Sequence, residues 1–581
     1  MYVRTIQVRS SNGTLNQYVR VVEAYRENGK VKQRVVADLG RKDLLVALLP
    51  KLRRVLEGTP ILEGEAQEPV DILDASTWGP VLVVRHLFQE IGLWEILDRL
   101  LGKAKTVAFA DRALVLVANR LIHPTSEHGM AGWLESDFLC DRQGRRFVPR
   151  WRKRGRVRVH HQQLDAWYRT LDNLLVAKDE IEVALYGRLR DLFSLKPELV
   201  LYDITSTYFE GAGPAGLAAH GYSRDGKPQN VQVIVGVVMV GGWPIAHQVW
   251  EGNQVDHSTV LEAVEDPRRR FAFGRVVFVG DRGMVTEDTL AGLRRDGQGY
   301  LVGIKRRRNT QFDQYVRLVK EKKWQDCPPG ITAGEKKNPP RTRVQEVASG
   351  EKGVRVFVID SQERREYEEA MRSRSMEKTR EKLAALKQRV ARRELVEAAK
   401  IGAAAQRALS AHHGHRYYTW QLRKGVFEFE PSENLAREKR LEGKYVIATT
   451  EKDLDALEAV QIYKDLSEVE RGFRHLKDVL ALRPIWHRVA PRVRGHIFVA
   501  ALALLLERLL ERRLKEAGVD LSAPEALQSL ATIRLVTFRL PGQPPRRGIS
   551  GGCPRARQVL KALGISDLKP PTPPEDQKEV M

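Results

Sequence analysis

The stretch LVLYDITSTYFEG, Leu199 to Gly211, decides how the middle of this chain is interpreted. Leu199 to Tyr202 carry no charge and are typical of a buried strand. Asp203 follows at once, ahead of hydroxyl residues. An aspartate after a strand can cap a turn by accepting backbone hydrogen bonds. It can also be a metal ligand on a rigid edge, and that hypothesis requires further acids from elsewhere in the chain.

A second apolar run supplies such an acid. In VFVGDRGM, Asp281 ends a strand just as Asp203 does. Two carboxylates at the ends of adjacent strands can share a divalent cation, because Mg²⁺ prefers hard oxygen ligands. Taken alone, Asp281 before Gly283 is also typical of an ordinary turn. The pair indicates a metal site more strongly than either residue does.

The segment IYKDLSEVERGFRHLKDVL, 462–480, predicts a helix that supplies the third ligand. Tyr463, Glu470 and Lys477 are seven residues apart and lie along the border of the apolar stripe, with Arg474 beside them. Such a row suits one metal ligand flanked by phosphate contacts, although the shoulder of a coiled coil has a similar pattern. The apolar stripe consists of Ile462, Leu466, Val469, Phe473, Leu476 and Leu480.

Two glutamates on this helix compete for the role of ligand. At about 100° per residue, Glu470 falls on the border of the buried stripe, whereas Glu468 falls on the opposite, solvated face. We therefore expect Glu470, and not Glu468, to reach Asp203 and Asp281. Glu251 and Asp256 follow another strand and are interpreted as supporting or turn residues.

The surrounding pattern predicts an α/β core with a three-stranded antiparallel front. None of its strands is followed by a GxGxxG or Walker loop, so nucleotide binding of those kinds is excluded. The predicted strands are LVLYDIT, VQVIVGVVMV, WPIAHQVW, RVVFVGD, YLVGIK and, after an interruption, KYVIATT (444–450).

The N-terminal third contains a sheet and then helices. Turn signals at Asn12-Gly13 and Asn28-Gly29 predict a three-stranded meander over the first forty residues. Helical patterns follow over about 41–58, 80–122 (with a break near Gly102) and 162–193.

A basic run lies between the last two helical patterns, in DRQGRRFVPRWRKRGRVRVHH (141–161). Blocks of like charge are often disordered, but interleaved aromatic residues favour a loop that follows a phosphate backbone. The cations are Arg142, Arg145, Arg146, Arg150, Arg152, Lys153, Arg154, Arg156 and Arg158, with Phe147 and Trp151 between them.

Whole-chain composition points to a soluble protein that meets a polyanion. The 581 residues carry 97 Lys and Arg against 74 Asp and Glu, a net charge of +23, for which nucleic acid is the first candidate partner. Solubility alone is the alternative explanation. Three separated cysteines argue against a zinc ribbon or a disulfide framework and fit a reducing compartment. No signal peptide or membrane span is predicted, so we expect a cytoplasmic location.

Together these motifs resemble the three catalytic blocks of the DDE transposases of bacterial insertion sequences. LYDITSTYFEG, VGDRGM and Y-x6-E-x6-K are most similar to the IS-four group, which carries a Y-R-E-K signature. GYSRDGKPQNVQVIVGVVM and EGNQVDHST also resemble segments of that group. The arginine of the signature falls on Leu466, a departure that removes one phosphate contact, for which Arg474 or Arg471 can substitute.

The resemblance implies an RNase H-like catalytic core interrupted by an inserted α+β domain. It also implies a triad of Asp203, Asp281 and Glu470 that holds two Mg²⁺ ions, for which Mn²⁺ can substitute. DNA contacts are implied for Tyr463, Lys477, Arg474 and Arg471, and the basic run adds Arg152, Lys153 and Arg154.

The function implied is cut-and-paste movement of a mobile DNA element. The partners would be double-stranded DNA, as terminal inverted repeats and as target, and a second copy of the chain in a homodimeric synaptic complex. A hairpin at the element end would need a flipped base held by an aromatic side chain, and Trp250 and Trp420 are the candidates. Two alternatives stay open, namely a structure-specific endonuclease without strand transfer and a decayed, non-catalytic DNA-binding protein.

These inferences divide the chain into six segments. The N-terminal segments are a β-meander with a helix (1–60) and a helical, basic region that binds element ends (61–196). The first part of the core (197–305), an insertion domain (306–443) and the second part of the core with the catalytic helix (444–515) follow. The last segment is a C-terminal region (516–581) that ends in a disordered tail, KPPTPPEDQKEVM.

Overall fold

The protein is described by a computed structural model that forms two compact units. One comprises Met1–Leu73 with Phe538–Arg546, and the other comprises Asp74–Thr537 with Arg547–Met581. For residues 152–154, 157–159, 161–163, 256–258 and 579–580 only the backbone is described. The described residues are 1–9, 15–27, 30–46, 49, 70–102, 108–148, 152–154, 157–159, 161–195, 199–254, 256–273, 275–281, 285–306, 310–328, 340–540, 543–573 and 579–580.

The first unit contains the predicted meander. Strands β1 (Tyr2–Arg9), β2 (Leu15–Glu27) and β3 (Lys30–Arg41) form an antiparallel sheet in that order. The predicted turns at Asn12-Gly13 and Asn28-Gly29 lie outside the described residues. Of the helix predicted over 41–58, residues 42–46 and 49 are helical and Arg41 belongs to β3, while the others lie outside the described residues.

The chain after the meander is mainly helical, as predicted. The break expected near Gly102 is present, because α2 ends at Leu101 and Gly102 has a positive φ of 68°. The elements are β4 (Asp71–Thr77), α1 (Gly79–Glu90), α2 (Leu93–Leu101), α3 (Phe109–Ile122), α4 (Met130–Ser136), β5 (Arg146–Phe147), β6 (Arg152–Arg154), β7 (Val157–Val159), α5 (His161–Val176) and α6 (Lys178–Phe193).

A nine-stranded mixed sheet forms the centre of the second unit. Its strands are β8 (Leu199–Tyr208), β9 (Gln232–Val240), β10 (Trp243–Glu251), β11 (Val277–Gly280), β12 (Gly299–Gly303), β13 (Gln325–Asp326), β14 (Thr342–Val347), β15 (Arg355–Ser361) and β18 (Lys444–Thr449), with helices α7 (Asp256–Phe271), α8 (Glu287–Arg295) and α9 (Thr310–Arg317) in the connections.

The strand order of this sheet is β10-β9-β8-β11-β12-β18-β15-β14-β13. The pairs β10–β9 and β9–β8 are antiparallel, which confirms the predicted antiparallel front. The pairs β8–β11 and β11–β12 are parallel. All nine residues of β9 are buried, as expected for a strand covered on both faces.

The segment predicted as an insertion, 306–443, contributes strands to the central sheet. Strands β14 and β15 lie inside those boundaries, yet β15 pairs antiparallel with β18 and extends the central sheet. A separate apolar cluster, which includes Leu383, Ile401 and Phe427, begins beyond them. It is built by α10 (Gln362–Ala391), α11 (Ala398–Ala411), β16 (Tyr418–Arg423), β17 (Val426–Pro431) and, through Leu435, α12 (Asn434–Leu441).

Two helices follow the last core strand and pack on the sheet. Helix α13 (Ala456–Arg474) runs directly into a π-helical turn, His475–Val479, and α14 (Ala490–Glu516) follows. The apolar run in α14 is buried as predicted. Among the described residues, no helix is long and apolar enough to cross a membrane. The remaining elements are α15 (Ala523–Leu530), β19 (Arg534–Arg539), β20 (Arg546–Ile549), α16 (Pro554–Ala562) and β21 (Glu579–Val580).

The tail predicted to be disordered, 569–581, is described at residues 569–573 and 579–580. Trp78 Nε1 donates a hydrogen bond to the carbonyl of Leu568, 2.6 Å away. The chain then passes so close to Gly144 that a methyl group there would lie 2.2 Å from the carbonyl oxygen of Pro571. Strand β21 pairs in parallel with β5. Proline-rich composition indicated disorder, but the helical region holds this segment.

Candidate active site

The two aspartates lie side by side on neighbouring strands. In the parallel pair β8–β11, Val277 is opposite Leu199 and Val279 is opposite Leu201. Continuing that register by two residues sets Asp281 level with Asp203, on strands about 4.8 Å apart. Asp281 directly follows β11, as predicted. Asp203 does not end its strand, because β8 continues through it to Tyr208.

Glu470 of α13 brings a third carboxylate to this pair. Burial, followed by the charges of Glu470 and Asp281, raises the pKa of Asp203 to about 7. The Ile204 N–H, which donates to Asp203 Oδ1 at 2.8 Å, and the charge of Arg224 oppose this rise. Glu470 and Asp281 therefore lie close enough to Asp203 for their charges to disfavour its ionisation.

Tyr463 lies on the same helix as Glu470, seven residues before it, and is close to Asp281. Its ring stacks on Tyr445, with centroids 5.8 Å apart. A methyl group at Gly303 in β12 would lie 2.2 Å from Tyr463 Oη and 3.4 Å from Asp281 Oδ1. Glycine at 303 therefore makes room for the hydroxyl beside Asp281. Burial, and then the charge of Asp281, raises the pKa of Tyr463.

The opposite face of α13 packs on α14 and corrects two predictions. Glu468 is not on a solvated face, because Arg508 Nη1 lies 3.2 Å from its Oε2. Arg471, predicted as a DNA contact, donates to Glu511 Oε2 at 2.6 Å. Both residues therefore hold the two helices together. Arg474 is exposed, and Leu466 is buried in the apolar stripe as predicted.

Lys477 lies on the π-helical turn, so the regular helical spacing that predicted its position does not extend to it. Its Nζ donates to Asp225 Oδ1 at 2.8 Å, and Arg483 Nη1 donates to the same oxygen. Arg483 also binds the Asp478 carboxylate. Asp225, on the loop between β8 and β9, thus binds two cationic side chains that follow α13 in the sequence.

That loop carries residues that sequence reasoning missed. Arg224 N donates to Ser206 Oγ at 3.0 Å, which fixes the loop to β8 three residues beyond Asp203. The charge of Arg224 lowers the pKa of Asp203. The resemblance of GYSRDGKPQN to a family segment was the available signal, but it does not single out Arg224 or Asp225.

The first half of the basic run, 142–158, is not a free phosphate-binding loop. Arg142 pairs with Asp98 and with Asp111, and Arg145 pairs with Asp141 at 2.6 Å. Arg146 pairs with Asp74 and also donates to Ser76. Asp98, Asp111 and Asp74 come from distant segments, so the charge compensation of Arg142 and Arg146 is invisible in the local sequence. Arg152, Lys153 and Arg154 form β6, which pairs with β7 in a hairpin.

The tryptophans predicted to hold a flipped base are both engaged elsewhere. Trp250 is half-buried and donates through Nε1 to Glu262, and Trp420 stacks on Phe427 with centroids 5.6 Å apart. Trp486, in contrast, is 63% exposed. Its neighbour Ile485 is held to the end of β8, since Ile485 N donates to the Tyr208 carbonyl at 3.0 Å. Glu251 is exposed at the end of β10, and the side chain of Asp256 lies outside the described residues.

A different cluster has the tightest set of metal-type donor atoms among the described residues. Atoms of Glu127, His487 and His496 all lie within 4.8 Å of one another. The buried Arg120 guanidinium lies 3.6 Å from Glu127 and 3.3 Å from His496 Nδ1. Burial, and then the charge of Arg120, lowers the pKa of His496 to about 4. Because Arg120 already neutralises Glu127, we interpret this cluster as a structural ion pair that anchors the segment after the catalytic helix.

The chemistry of the three acids fits a divalent cation. Asp203, Asp281 and Glu470 offer hard oxygen donors on a strand, at the end of a second strand and on a helix, and burial, followed by the charges of the other two acids, raises the pKa of Asp203. They do not form as tight a set as the histidine cluster.

Comparison with known proteins agrees with this geometry. Residues 195–506 match the family model of the transposase DDE domain. Residues 3–68 match the N-terminal domain of IS1634 family transposases. Among solved structures, the chain is similar to the piggyBac transposase synaptic complex with hairpin DNA, at 9% identity and a TM-score of 0.32, over 80% of this chain and 82% of that one. The comparison with curated proteins finds no match for the chain.

The match to the transposase DDE domain identifies the class as phosphoryl-transfer enzymes of the DDE type. Because the DDE domain covers more than half of the 581 residues, the chain belongs to the DDE transposases, and residues 3–68 are similar to the N-terminal domain of IS1634 family transposases.

Proposed function

We propose that this transposase binds the ends of a mobile DNA element and moves it by cut-and-paste transposition, with Asp203, Asp281 and Glu470 as the catalytic acids. The observation that carries the proposal is the level placement of Asp203 and Asp281 on neighbouring parallel strands, with Glu470 close enough to raise the pKa of Asp203. The order β10-β9-β8-β11-β12, with its antiparallel front, supports an RNase H-like core.

The three acids would hold two Mg²⁺ ions, for which Mn²⁺ can substitute. When bound, such ions stabilise charge on the phosphoryl oxygens and favour attack by a water or a 3′-hydroxyl. The chain itself supplies rigid placement, since the aspartates are fixed by strand pairing and Glu470 by the packing of α13. Asp203 must give up its proton to act as a ligand, and the cation charge makes that favourable.

Basic residues around the acids would orient the DNA. Lys477 and Arg474 lie along or beyond the catalytic helix, and Tyr463 places its hydroxyl beside Asp281. Arg224 adds a cation that the Y-R-E-K alignment to the IS-four group does not contain, which offsets the loss of arginine at Leu466. Arg152, Lys153 and Arg154 remain proposed contacts to element ends, through a two-stranded hairpin.

If the reaction passes through a hairpin at the element end, Trp486 is a better candidate than Trp250 or Trp420 to stack on a flipped base. It is exposed, and its neighbours Ile485 and His487 are both anchored. Exposed aromatic rings on a fixed backbone suit base stacking, which is worth about 1–3 kcal/mol per base.

The decisive experiment compares Asp203→Asn and Asp281→Asn with the parent on DNA that bears the element ends. We expect both variants to bind this DNA and to lose Mg²⁺-dependent cleavage, because an amide cannot replace a charged ligand. Undiminished cleavage by either variant would overturn the assignment. A strand-transfer assay on the parent then separates a transposase that completes the reaction from an endonuclease that only cuts, and a homodimer in the end-bound complex would show synapsis.

A further inference from the structure

Asp225 has an unusual position for a carboxylate on a surface loop. Its side chain is only 3% exposed, and one oxygen, Oδ1, accepts hydrogen bonds from both Lys477 and Arg483. Its other oxygen, Oδ2, is buried and has no hydrogen-bond partner among the described residues. This acid is therefore placed for its two cations and not for solvent.

The two cations would not stay together without it. Lys477 belongs to the π-helical turn, and Arg483 follows four residues after that turn ends. Both side chains are largely buried, with 10% and 26% exposed, so water screens their mutual repulsion poorly. The carboxylate of Asp225 attracts both cations and therefore offsets their mutual repulsion.

The arrangement lies next to the proposed catalytic acids. Arg224, which precedes Asp225, is held to Ser206 on β8 and acts on the charge of Asp203. Burial lowers the pKa of Lys477, and the positive charges of Arg483 and Arg224 act in the same direction. The hydrogen bond and charge of Asp225 oppose this shift. Two successive loop residues thus reach both groups: the charge of Arg224 acts on Asp203, and Asp225 binds the two cations.

We propose that Asp225 is a positioning residue that assembles Lys477 and Arg483 into a preformed site for one DNA backbone phosphate beside the three acids. This inference rests on the proposed function. An ammonium group has three N–H donors and a guanidinium has five, so each cation keeps donors for a phosphate while it holds Asp225. The role of Asp225 is to fix where that phosphate lies relative to Asp203, and hence where the DNA strand is cut.

The test is Asp225→Asn, which keeps the shape and an oxygen acceptor but removes the charge. We expect turnover at saturating end DNA to fall by about 10- to 100-fold, as misplacement of about 1 Å does. The dissociation constant for DNA should change by less than about threefold, because the variant gains net positive charge. This split between turnover and affinity separates positioning from a general loss of binding.

Asp478→Asn is the matched control. Asp478 binds the same guanidinium of Arg483 but forms no ion pair with Lys477 in the described part of the chain, and its side chain is 58% exposed. We expect its turnover to stay within about twofold of the parent, as for other exposed ion pairs. Equal losses in Asp225→Asn and Asp478→Asn would contradict a special role for Asp225.

A double-mutant cycle shows whether Asp225 acts through its cations. In a Lys477→Ala background, Asp225→Asn should lower turnover much less than it does in the parent. Additive losses would overturn the proposal. If Asp225→Asn does not fold, the cycle is run between Lys477→Ala and Arg483→Ala, for which non-additive losses are expected and additive losses are again contradictory.

Failure of this inference is distinguishable from failure of the proposed function. If the parent cleaves end DNA and Asp203→Asn does not, but Asp225→Asn turns over at the parent rate, only the inference fails. If Asp203→Asn cleaves like the parent, the proposed catalytic site itself is wrong, and the phosphate site falls with it.

Discussion

The two faces of helix α13 both carry glutamates, but these glutamates have partners of opposite charge. On the face toward α14, Glu468 and Arg471 are matched by Arg508 and Glu511, so their charges cancel. On the face toward the sheet, Glu470 lies near two more acids, and burial, followed by the charges of Glu470 and Asp281, raises the pKa of Asp203. Repulsion between carboxylates is typical of a functional site, where a bound ligand relieves it.

The buried histidine cluster shows the same contrast at another site. There Glu127 is as buried as its histidines, and despite the opposing effect of burial, hydrogen bonds from His487 and His496 hold its pKa well below the usual range. Arg120 completes the compensation. Donor atoms close together are thus not enough to indicate a metal site. What distinguishes the acid site is that burial and neighbouring carboxylates raise the pKa of Asp203.

The largest expected difference between the two faces is catalytic. Glu470→Gln should lower DNA cleavage by at least about 10³-fold, because it removes a metal ligand. Glu468→Gln removes a carboxylate from the same helix but only weakens the pairs with Arg508 and Arg471, so its cleavage should stay within a few-fold of the parent while its melting temperature falls. Cleavage rates and thermal melting of both variants test this. Loss of activity in Glu468→Gln alone would mean that the register of the helix is misassigned.

A smaller effect is expected from the residue that makes room for Tyr463. Gly303→Ala should lower turnover by about 10- to 100-fold, because the new methyl group would meet Tyr463 Oη at 2.2 Å and displace it from Asp281. Removal of that hydroxyl relieves most of the clash, so Gly303→Ala combined with Tyr463→Phe should be more active than Gly303→Ala alone. A double variant no better than the single one would show that the contact does not limit activity.

The smallest effect is a pH-dependent change in stability. The folded pKa of Asp203, about 7, lies above its unfolded value of about 3.9, so the folded state holds the extra proton between these values. Stability of the metal-free parent is therefore lost as pH rises through this window and levels off above it. Asp203→Asn lacks this loss, so its melting temperature in EDTA should exceed that of the parent by a few degrees at pH 8 and by less at pH 5. A difference that does not vary with pH would contradict the burial of an uncompensated acid.

Much of the acid site is local in sequence and was therefore predictable. Asp281 follows a short apolar run, and the stripe from Ile462 to Leu480 fixes which face of the helix is buried. Glu470 follows from helical periodicity alone. The continuation of β8 past Asp203 was missed because Thr205 to Thr207 resemble a turn, although threonine and buried serine also suit a strand.

The basic side of the site was not predictable, because long-range partners decide it. Lys477 departs from helical spacing at a π-helical turn, and it binds Asp225, 252 residues away in sequence. Arg142 looked free for phosphate but is matched by Asp98 and Asp111. Strand β15 sits in a basic segment whose composition suggested a separate domain, yet its apolar residues complete the central sheet. Composition indicates charge, but only the fold shows which charges are already paired.

The central claim is that Asp203, Asp281 and Glu470 bind metal directly, and a change of metal preference tests it most directly. Asp281→Cys replaces a hard oxygen ligand with a softer thiolate, which disfavours Mg²⁺ more than Mn²⁺. We predict that this variant cleaves end DNA in Mn²⁺ and not in Mg²⁺, whereas the parent uses both and Asp281→Ala uses neither. Cleavage by Asp281→Cys at equal rates in the two metals would contradict direct ligation by this residue.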